Sequence, residues 1–217
     1  MTERPAAVVF DFWNTLVPYR EDVWPTVLRE LAEAWGADPD ALANAWAADR
    51  GLRDKGELRE SVGRVVTAAG VAVHDGAVDA LLARRRAVTA AMFVPREGAV
   101  ETLEELRERG FRTGLVTNCS SDLPAVWRES PLAGLFDACV FSCDERVGKP
   151  DPRVYALAAE RLGVAPNACV FVGDGNDDEL RGAANAGMRP VLLRTEVQRD
   201  WPGAAIDDLR ELLELVA

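Results

Sequence analysis

Short apolar runs recur along the chain and predict the strands of a buried sheet. The runs are mostly continuous rather than alternating, which is typical of strands that are covered on both faces. They are Ala6–Phe10, Thr113–Val116, Ala138–Phe141, Cys169–Val172 and Pro190–Leu193, with a shorter sixth run at Ala204–Ile206.

Amphipathic segments between these runs predict helices, each of which is followed by a glycine. The clearest are Val100–Arg109, Pro152–Leu162 and Glu179–Ala186. A glycine just past the last helical residue is a common helix ending, and a proline at the first position is a common beginning. Strands and helices that alternate through short links predict an α/β fold, a doubly wound, Rossmann-like parallel sheet with helices on both faces.

Residues 18–92 follow a different pattern, without a convincing strand. This stretch predicts four helices, at Asp22–Trp35, Pro39–Arg53, Glu57–Ala69 and Asp75–Met92. We therefore expect an α/β core formed by residues 1–17 and 93–217, with residues 18–92 inserted as an α-helical domain. Trp24, Trp35 and Trp46 are expected to form the core of that insert, because aromatic residues at helical spacing usually pack inward.

Composition narrows the classes of function. The 217 residues include 36 acidic and 25 basic residues, for a net charge of −11. Such a surplus argues against partners that are nucleic acids and against docking on an anionic membrane. No apolar run reaches the eighteen or so residues of a membrane span, and no signal peptide is expected. The four cysteines form no Cys-x-x-Cys pair, which favours free thiols and a cytoplasmic location.

Polar residues suited to phosphate chemistry follow four of the predicted strands. Asp11 follows the first, Thr117 and Asn118 the second, Lys149 lies beyond the third, and Asp174 follows the fourth. Each has an ordinary structural explanation alone, such as a turn, a helix cap or a surface charge. Together they indicate a site, because the carboxyl ends of parallel strands meet at one edge of a sheet. Lys149 adds weight, since only two of the 25 basic residues are lysines.

These residues stand in motifs through which the chain resembles the haloacid dehalogenase-like hydrolases over nearly its whole length. The motifs are Asp11-Phe12-Trp13-Asn14-Thr15-Leu16, Leu115-Val116-Thr117-Asn118, Gly148-Lys149-Pro150-Asp151-Pro152 with Tyr155, and Val172-Gly173-Asp174-Gly175. A helical insert directly after the first motif is similar to the cap of that family.

The resemblance implies a role for each motif residue. Asp11 is the expected nucleophile, which forms an aspartyl-phosphate, and Lys149 is expected to hold it and neutralise developing charge. The hydroxyl of Thr117 and the Asn118 side chain are expected to hold phosphate oxygens. Asn14 is a further candidate for substrate binding.

The same resemblance implies a magnesium site. Its expected ligands are Asp11, the backbone carbonyl of Trp13 and Asp174, with waters completing an octahedron of oxygens. A further acidic group from the fourth motif is expected nearby, and the spacing fits both Asp178 and Glu179.

Trp13 departs from the pattern of the family's phosphatases, which carry a second aspartate at this position. That aspartate protonates the leaving group, which an indole cannot do. One hypothesis is a phosphatase that uses water, a substrate with a good leaving group, or a donor from the insert, for which Glu21, Asp22 and His74 are conceivable.

Two other hypotheses remain. A 2-haloacid dehalogenase carries an aromatic residue at the position of Trp13, needs no leaving-group proton, and matches Tyr155, but it lacks the metal-binding aspartate that this chain keeps as Asp174. The third hypothesis is a catalytically silent binding protein. The sequence favours a Mg²⁺-dependent phosphatase for a small phosphorylated metabolite, acting as a monomer or homodimer. Arg20, Arg50 and Arg53 are candidates for binding an anionic group, although surface arginines are common in this chain.

Overall fold

The computed structural model describes residues 4–20, 22–71, 75–197 and 199–217, which form a six-stranded sheet flanked by helices. All neighbouring strands are parallel, in the order β3-β2-β1-β4-β5-β6. The strands are β1 (Ala7–Phe10), β2 (Arg112–Thr117), β3 (Ala138–Phe141), β4 (Cys169–Gly173), β5 (Arg189–Leu193) and β6 (Ala204–Ile206). The predicted Rossmann-like architecture is confirmed, with strand ends shifted by one residue at most.

The helices of the core cover both faces of the sheet. They are α6 (Ala99–Glu108), α7 (Asp122–Val126), α8 (Ser142–Glu145), α9 (Pro152–Leu162), α10 (Glu179–Asn185) and α11 (Leu212–Leu215). Val8 and Phe10 of the central strand pack with α6 and α11, whereas Ala7 and Val9 pack with α9 and α10. Burial of each large apolar side chain contributes about 1.5–3 kcal/mol. The continuous apolar runs are thus explained by a sheet that is buried on both sides.

Strand register brings the polar residues to one edge. Phe10 is level with Leu115 of β2 and with Val172 of β4. Asp11 therefore emerges from the middle of the sheet between the ends of β2 and β4. Its backbone N–H still donates to the carbonyl of Val172 at 2.9 Å, which fixes where the chain leaves the sheet.

The described residues between β1 and α6 form five helices, which we call the inserted helices. They are α1 (Val23–Trp35), α2 (Pro39–Ala48), α3 (Arg50–Arg53), α4 (Leu58–Ala68) and α5 (Asp75–Ala91). Four were predicted, and the error lies in Pro39–Arg53, which is interrupted at Asp49. Aspartate is a poor helix former, and the buried Asp49 carboxylate accepts a hydrogen bond from Arg64 on α4 at 3.0 Å. This contact fixes the break between α2 and α3.

The inserted helices have a hydrophobic cluster of their own. Trp24 and Trp46 stack within it at 5.1 Å between ring centroids, and Trp35 packs at its border. The expectation that these tryptophans form the core of the insert is confirmed for the cluster, although Trp24 and Trp46 also line the cavity described below. No helix among the described residues is long and apolar enough to cross a membrane, and all four cysteines are free.

Arg96 ties together the two segments that connect the inserted helices to the core. Its backbone N–H donates to the carbonyl of Leu16 at 2.7 Å. Its guanidinium donates to the carbonyls of Asn14 and Thr15 at 2.7 and 3.1 Å. The two chain segments that lead into and out of the inserted helices are thus held side by side, next to Asp11.

Two helical glycines give a matched test of the packing around the Lys149 loop. A Cβ atom on Gly182 of α10 would lie 2.6 Å from the carbonyl oxygen of Pro150 and 2.8 Å from the Tyr155 hydroxyl, whereas one on Gly63 of α4 meets nothing within 4 Å. We expect Gly182→Ala to lower the free energy of unfolding by about 1–3 kcal/mol through overpacking. Gly63→Ala should raise it by about 0.5–1 kcal/mol, because alanine is the better helix former. Chemical denaturation of both variants measures the difference, and equal effects would contradict this account of the loop.

Candidate active site

Lys149 is the centre of a buried group of charges at the carboxyl edge of the sheet. Its ammonium donates to Asp11 Oδ1 and, at 2.6 Å, to Glu179 Oε2. The second oxygen of Asp11 accepts a hydrogen bond from the Thr15 hydroxyl at 2.9 Å. Asp11 is thereby held in one orientation by two donors, as a nucleophile requires.

Three buried carboxylates share this space with one lysine. Asp11, Asp174 and Glu179 each place an oxygen within 4.8 Å of the others. Burial raises the pKa of Glu179 to about 8, and repulsion from Asp11 adds to the effect. Burial also raises the pKa of Asp11, against the attraction of Lys149. The carboxylates therefore exceed the positive charge available to them, which is the condition that a bound cation relieves.

Asp174 provides the clearest indication of a metal ligand. Its Oδ1 accepts a hydrogen bond from the backbone of Asn176 at 3.1 Å, but its buried Oδ2 has no hydrogen-bond partner among the described residues. Arg199 comes no closer to it than 3.7 Å. A buried carboxylate oxygen without a donor is costly, and hard cations such as Mg²⁺ prefer oxygen ligands of this kind. The residues present fit the magnesium that the sequence predicts.

The structure distinguishes Glu179 from Asp178. Asp177 and Asp178 adopt positive φ angles of 51° and 54°, and this turn directs Glu179 into the cluster at the start of α10. Glu179 also accepts a hydrogen bond from the backbone of Gly175 at 2.9 Å. Asp178 is exposed and lies 3.5 Å from Arg181. Glu179 is therefore the acidic residue of the fourth motif that joins the cluster.

The two residues at the end of β2 face different surroundings. Asn118 lines the cavity. Its side-chain oxygen accepts a hydrogen bond from the backbone N–H of Lys149 at 2.8 Å, and its side-chain nitrogen donates to the Lys149 carbonyl at 3.0 Å. Its amide also donates to Asp177 at 3.2 Å. Thr117 is buried behind the cavity wall, and its hydroxyl has no hydrogen-bond partner within the described part of the chain. The roles expected of Thr117 and Asn118 toward phosphate stay predictions.

Trp13 and Asn14 of the first motif lie where the chain passes from the core into the inserted helices. The indole of Trp13 lies edge-on to Phe12 and Tyr19, at 4.7 and 5.4 Å between ring centroids, and touches both the core cluster and the cluster of the inserted helices. Asn14 lines the cavity, but its side-chain oxygen accepts a hydrogen bond from the Tyr19 backbone at 2.9 Å. Trp13 therefore joins the two parts of the fold by packing.

Tyr155 does not line the cavity. It is fully buried, and its hydroxyl donates to the backbone carbonyl of Glu179 at 2.8 Å. Its place in the structure is to support the start of α10, behind the acidic cluster.

Of the conceivable proton donors, only Asp22 can be located. It is exposed, pairs with Arg20 at 2.8 Å and does not line the cavity. Glu21 and His74 lie outside the described residues. Asp54, which follows α3, does line the cavity, and burial raises the pKa of its carboxyl above the ordinary value. Sequence reasoning missed Asp54 because no motif surrounds it.

A cavity of about 400 Å³ lies between the acidic cluster and the inserted helices. Arginines from the inserted helices line its far side: Arg50, Arg53 and Arg85. Arg50 is half exposed and pairs with Asp177 at 3.1 Å, whereas Arg53 and Arg85 are buried. The third anion candidate, Arg20, is exposed on the surface.

Arg85 was missed because it stands in a run of three arginines, which resembles a solvated surface. A signal was nevertheless present. Arg85 occupies a position at helical spacing with the buried Val78, Leu81 and Val88, on the apolar face of α5. A charge on such a face needs a partner, and Asp122 of α7 supplies it at 2.7 Å.

Comparisons with known proteins agree with the motifs. A family model described as haloacid dehalogenase-like hydrolase matches residues 5–187. A glyceraldehyde 3-phosphate phosphatase from Methanopyrus kandleri is 35% identical over 70% of this chain and 64% of its own length. A phosphoserine phosphatase from Thermus thermophilus is 37% identical over 51% of this chain and 46% of its own length.

A second kind of relative is also similar. The (S)-2-haloacid dehalogenase 4A from Burkholderia cepacia is 36% identical over 45% of this chain and 42% of its own length. The chain thus spans between about two fifths and two thirds of these three relatives.

Solved structures support the fold. A 2-haloacid dehalogenase from Pseudomonas syringae superposes with a TM-score of 0.75 and 23% identity, covering 98% of both chains. A phosphatase from Thermococcus onnurineus gives 0.71 and 24%, covering 97% of both.

The buried pair of Asp122 with Arg85 gives a test of how the inserted helices hold to the core. Burial alone would raise the pKa of Asp122, but Arg85 and the hydroxyls of Ser120 and Thr89 outweigh it and hold the pKa below its ordinary value. Asp122→Asn should lower the free energy of unfolding by about 3–5 kcal/mol at neutral pH, since it leaves Arg85 buried without its counter-ion. A group with a depressed pKa stabilises above its unfolded pKa, so the difference should shrink below about pH 4.

Denaturation of wild type and variant between pH 3 and 7 measures this effect, with stability expected to follow the ionisation of one buried carboxyl. Asp79→Asn is the control, because Asp79 pairs with Arg59 at the exposed surface. It should cost less than about 1 kcal/mol. A difference that does not change with pH would contradict the assignment.

Proposed function

Because the chain belongs to the haloacid dehalogenase-like hydrolases, we propose that it is a Mg²⁺-dependent phosphomonoesterase that acts on a small phosphorylated metabolite. The observation that carries the proposal is the unpartnered oxygen of Asp174 within the buried acidic cluster. In a metal-independent dehalogenase this oxygen would have no partner, whereas in a metal-dependent phosphatase it would bind the metal ion.

The residues of the cluster suit the two steps of such a reaction. An oxygen of Asp11 attacks phosphorus, a bond from phosphorus to Asp11 forms, and the bond to the leaving oxygen breaks. Water then attacks phosphorus and releases phosphate and the Asp11 carboxylate. Lys149 holds Asp11 in place and offsets negative charge as the phosphoryl group arrives. Magnesium, when bound by Asp11, Asp174 and the backbone carbonyl of Trp13, supplies charge neutralisation for phosphate beside the carboxylates.

Thr117 and Asn118 complete the phosphate end in this proposal. The buried hydroxyl of Thr117 has no hydrogen-bond partner among the described residues, and we assign it to a phosphate oxygen. Asn118 fixes the loop that presents Lys149 and lies at the cavity surface. Asn14 shapes the opposite wall through its bond to the Tyr19 backbone.

The proton for the leaving oxygen comes from Asp54 in our proposal. Trp13 cannot donate it, and Asp54 is the carboxyl on the inserted helices that lines the cavity with a raised pKa. A carboxyl that stays protonated nearer to neutral pH is the better general acid. Its backbone carbonyl accepts a hydrogen bond from Ser142 of the core at 2.6 Å, which fixes it over the site.

Residues 18–92 act as a cap in this proposal. The cap closes the cavity over the substrate and excludes water during transfer. Its contacts with the core support this role, since Arg50 bonds Asp177 and Arg85 bonds Asp122 across the boundary. The four free cysteines fit a reducing, cytoplasmic environment.

The alternative is a 2-haloacid dehalogenase, which the aromatic Trp13 and one similar relative favour. The acidic cluster argues against it, because three carboxylates repel a carboxylate substrate without a cation. Retention of Asp11, Lys149 and Asp174 in mutual contact or proximity argues against a silent binding protein.

The central prediction concerns Asp11 and metal. Wild type should release phosphate from p-nitrophenyl phosphate in the presence of Mg²⁺, and removal of the metal with a chelator should abolish the activity. Asp11→Asn should lower kcat at least about 10³-fold, because the nucleophile is lost. Asp151→Asn, in the same sequence motif as Lys149 but partly exposed at the start of α9, is the matched control and should stay active.

Halide release is measured in parallel with 2-chloropropionate. Metal-independent chloride release by wild type, without phosphatase activity, would replace the proposal with the dehalogenase. Binding of phosphate esters without turnover of any would favour the silent protein.

Asp54 is tested through the leaving group. Asp54→Asn should lower kcat/KM for an alkyl phosphate such as glycerol phosphate by about 10²-fold or more, because an alkoxide needs a proton to depart. The loss for p-nitrophenyl phosphate should be much smaller, since p-nitrophenolate leaves without one. Steady-state kinetics on both substrates give the ratio. An equal loss on both would assign Asp54 to structure instead.

A further inference from the structure

Arg53 carries a buried charge that is only loosely paired with a carboxylate. Only 7% of its side chain is exposed. It donates one hydrogen bond to the Trp46 carbonyl at 3.0 Å and stacks over the Trp46 ring at 4.0 Å. Asp49, the nearest carboxylate, stands 3.9 Å away and is already bonded to Arg64 at 3.0 Å. A buried guanidinium in this state retains unused donors and unbalanced charge.

Arg85 lies beside it and is only partly satisfied. One of its terminal nitrogens binds both Asp122 and Ser120, at 2.7 and 2.6 Å. Its buried Nε has no hydrogen-bond partner among the described residues. The guanidinium lies over the rings of Trp24 and Trp46, at 4.8 and 4.7 Å. Two planar cations are thus held by a pair of stacked indoles on the wall of one cavity.

We propose that Arg53 and Arg85 bind a carboxylate of the substrate, which makes the substrate a small phosphomonoester that also carries a carboxylate. The proposal rests on the proposed function, because it assigns the opposite end of the same substrate. Arginine suits this role since its planar donors match the two oxygens of a carboxylate.

The balance of charge favours a carboxylate over a second phosphate. Arg85 is paired with Asp122, and Arg50 with Asp177 at 3.1 Å. Arg53 shares Asp49, its one carboxylate within 4 Å among the described residues, with Arg64, so two guanidinium groups face a single carboxylate and positive charge is left for a ligand. Burial lowers the pKa of Arg53 to about 10, and repulsion from Arg85 adds to this effect. A bound anion stabilises the charged form of Arg53.

The cavity sets the size of this substrate. Asp11 and Lys149 line one side of the same space of about 400 Å³ that Arg53 and Arg85 line on the other. A volume near the lower end of the range for ligand pockets suits a molecule of a few carbon atoms. The phosphate would lie at the acidic cluster and the carboxylate between the arginines and the indoles.

Calorimetric titration tests the proposal with two ligands that differ only at one end, 2-phosphoglycolate and 2-hydroxyethyl phosphate. Each is titrated with Mg²⁺ into the Asp11→Asn protein, which cannot form the aspartyl-phosphate. The carboxylated ligand should bind at least about tenfold more tightly, as expected for charged hydrogen bonds. Adding Arg53→Gln should reduce that preference at least about tenfold.

Arg84→Gln is the matched control, because Arg84 is an arginine of the inserted helices that pairs with Glu30 at the exposed surface and does not line the cavity. It should keep the preference for the carboxylated ligand. Arg53 is chosen over Arg85 because removal of Arg85 leaves Asp122 buried and unpaired.

Three results would overturn the subsite: equal binding of the two ligands, a preference that survives Arg53→Gln, or a preference that Arg84→Gln also removes. Failure of the proposed function has a different signature. If wild type hydrolyses neither ester, the phosphatase is wrong, while a preference that depends on Arg53 still supports the carboxylate site.

Discussion

One buried ammonium group holds the candidate site together. Lys149 bonds Asp11, directly after the central strand, and Glu179, at the start of α10. A single side chain therefore joins two separate segments of the chain. Removing either carboxylate from water is costly, and Lys149 compensates only part of that cost. Asp174 adds further negative charge to the cluster, and its buried Oδ2 has no hydrogen-bond partner among the described residues. The architecture therefore retains an excess of buried negative charge, and a cation is the simplest partner for it.

The position of Lys149 depends in turn on close packing behind it. Asn118 binds its backbone from both sides, and a Cβ atom on Gly148 would lie 2.5 Å from the Asn118 side-chain oxygen. Gly182 lets α10 approach the carbonyl of Pro150 on the same loop. Tyr155 bonds the backbone of Glu179 from below. Close packing at glycines and hydrogen bonds from polar side chains thus determine the positions of Lys149 and Glu179, whereas the sheet determines only the direction in which the chain leaves each strand.

Much of this was predictable from the sequence, and the part that was not has a physical cause. Continuous apolar runs and glycine-closed helices predict the sheet because burial on both faces demands them. The motif residues converge because parallel strands end together. The choice of Glu179 over Asp178 depends on two positive φ angles, which no composition pattern reveals. The break at Asp49 depends on a long-range bond to Arg64, and helical periodicity alone runs through it.

The segment after Asp49 bears on the proposed function. It brings Arg50, Arg53 and Asp54 to the cavity wall within five residues of chain. Trp13, at the position where the family's phosphatases carry an acid, packs between the core and the inserted helices and also lines the cavity. In the phosphatase that we propose, the proton that Trp13 cannot donate comes from Asp54, and the segment from Arg50 to Asp54 supplies both this carboxyl and the buried guanidinium of Arg53 to the cavity. On this view the inserted helices complete the site, and substrate choice and proton donation belong to the same short segment.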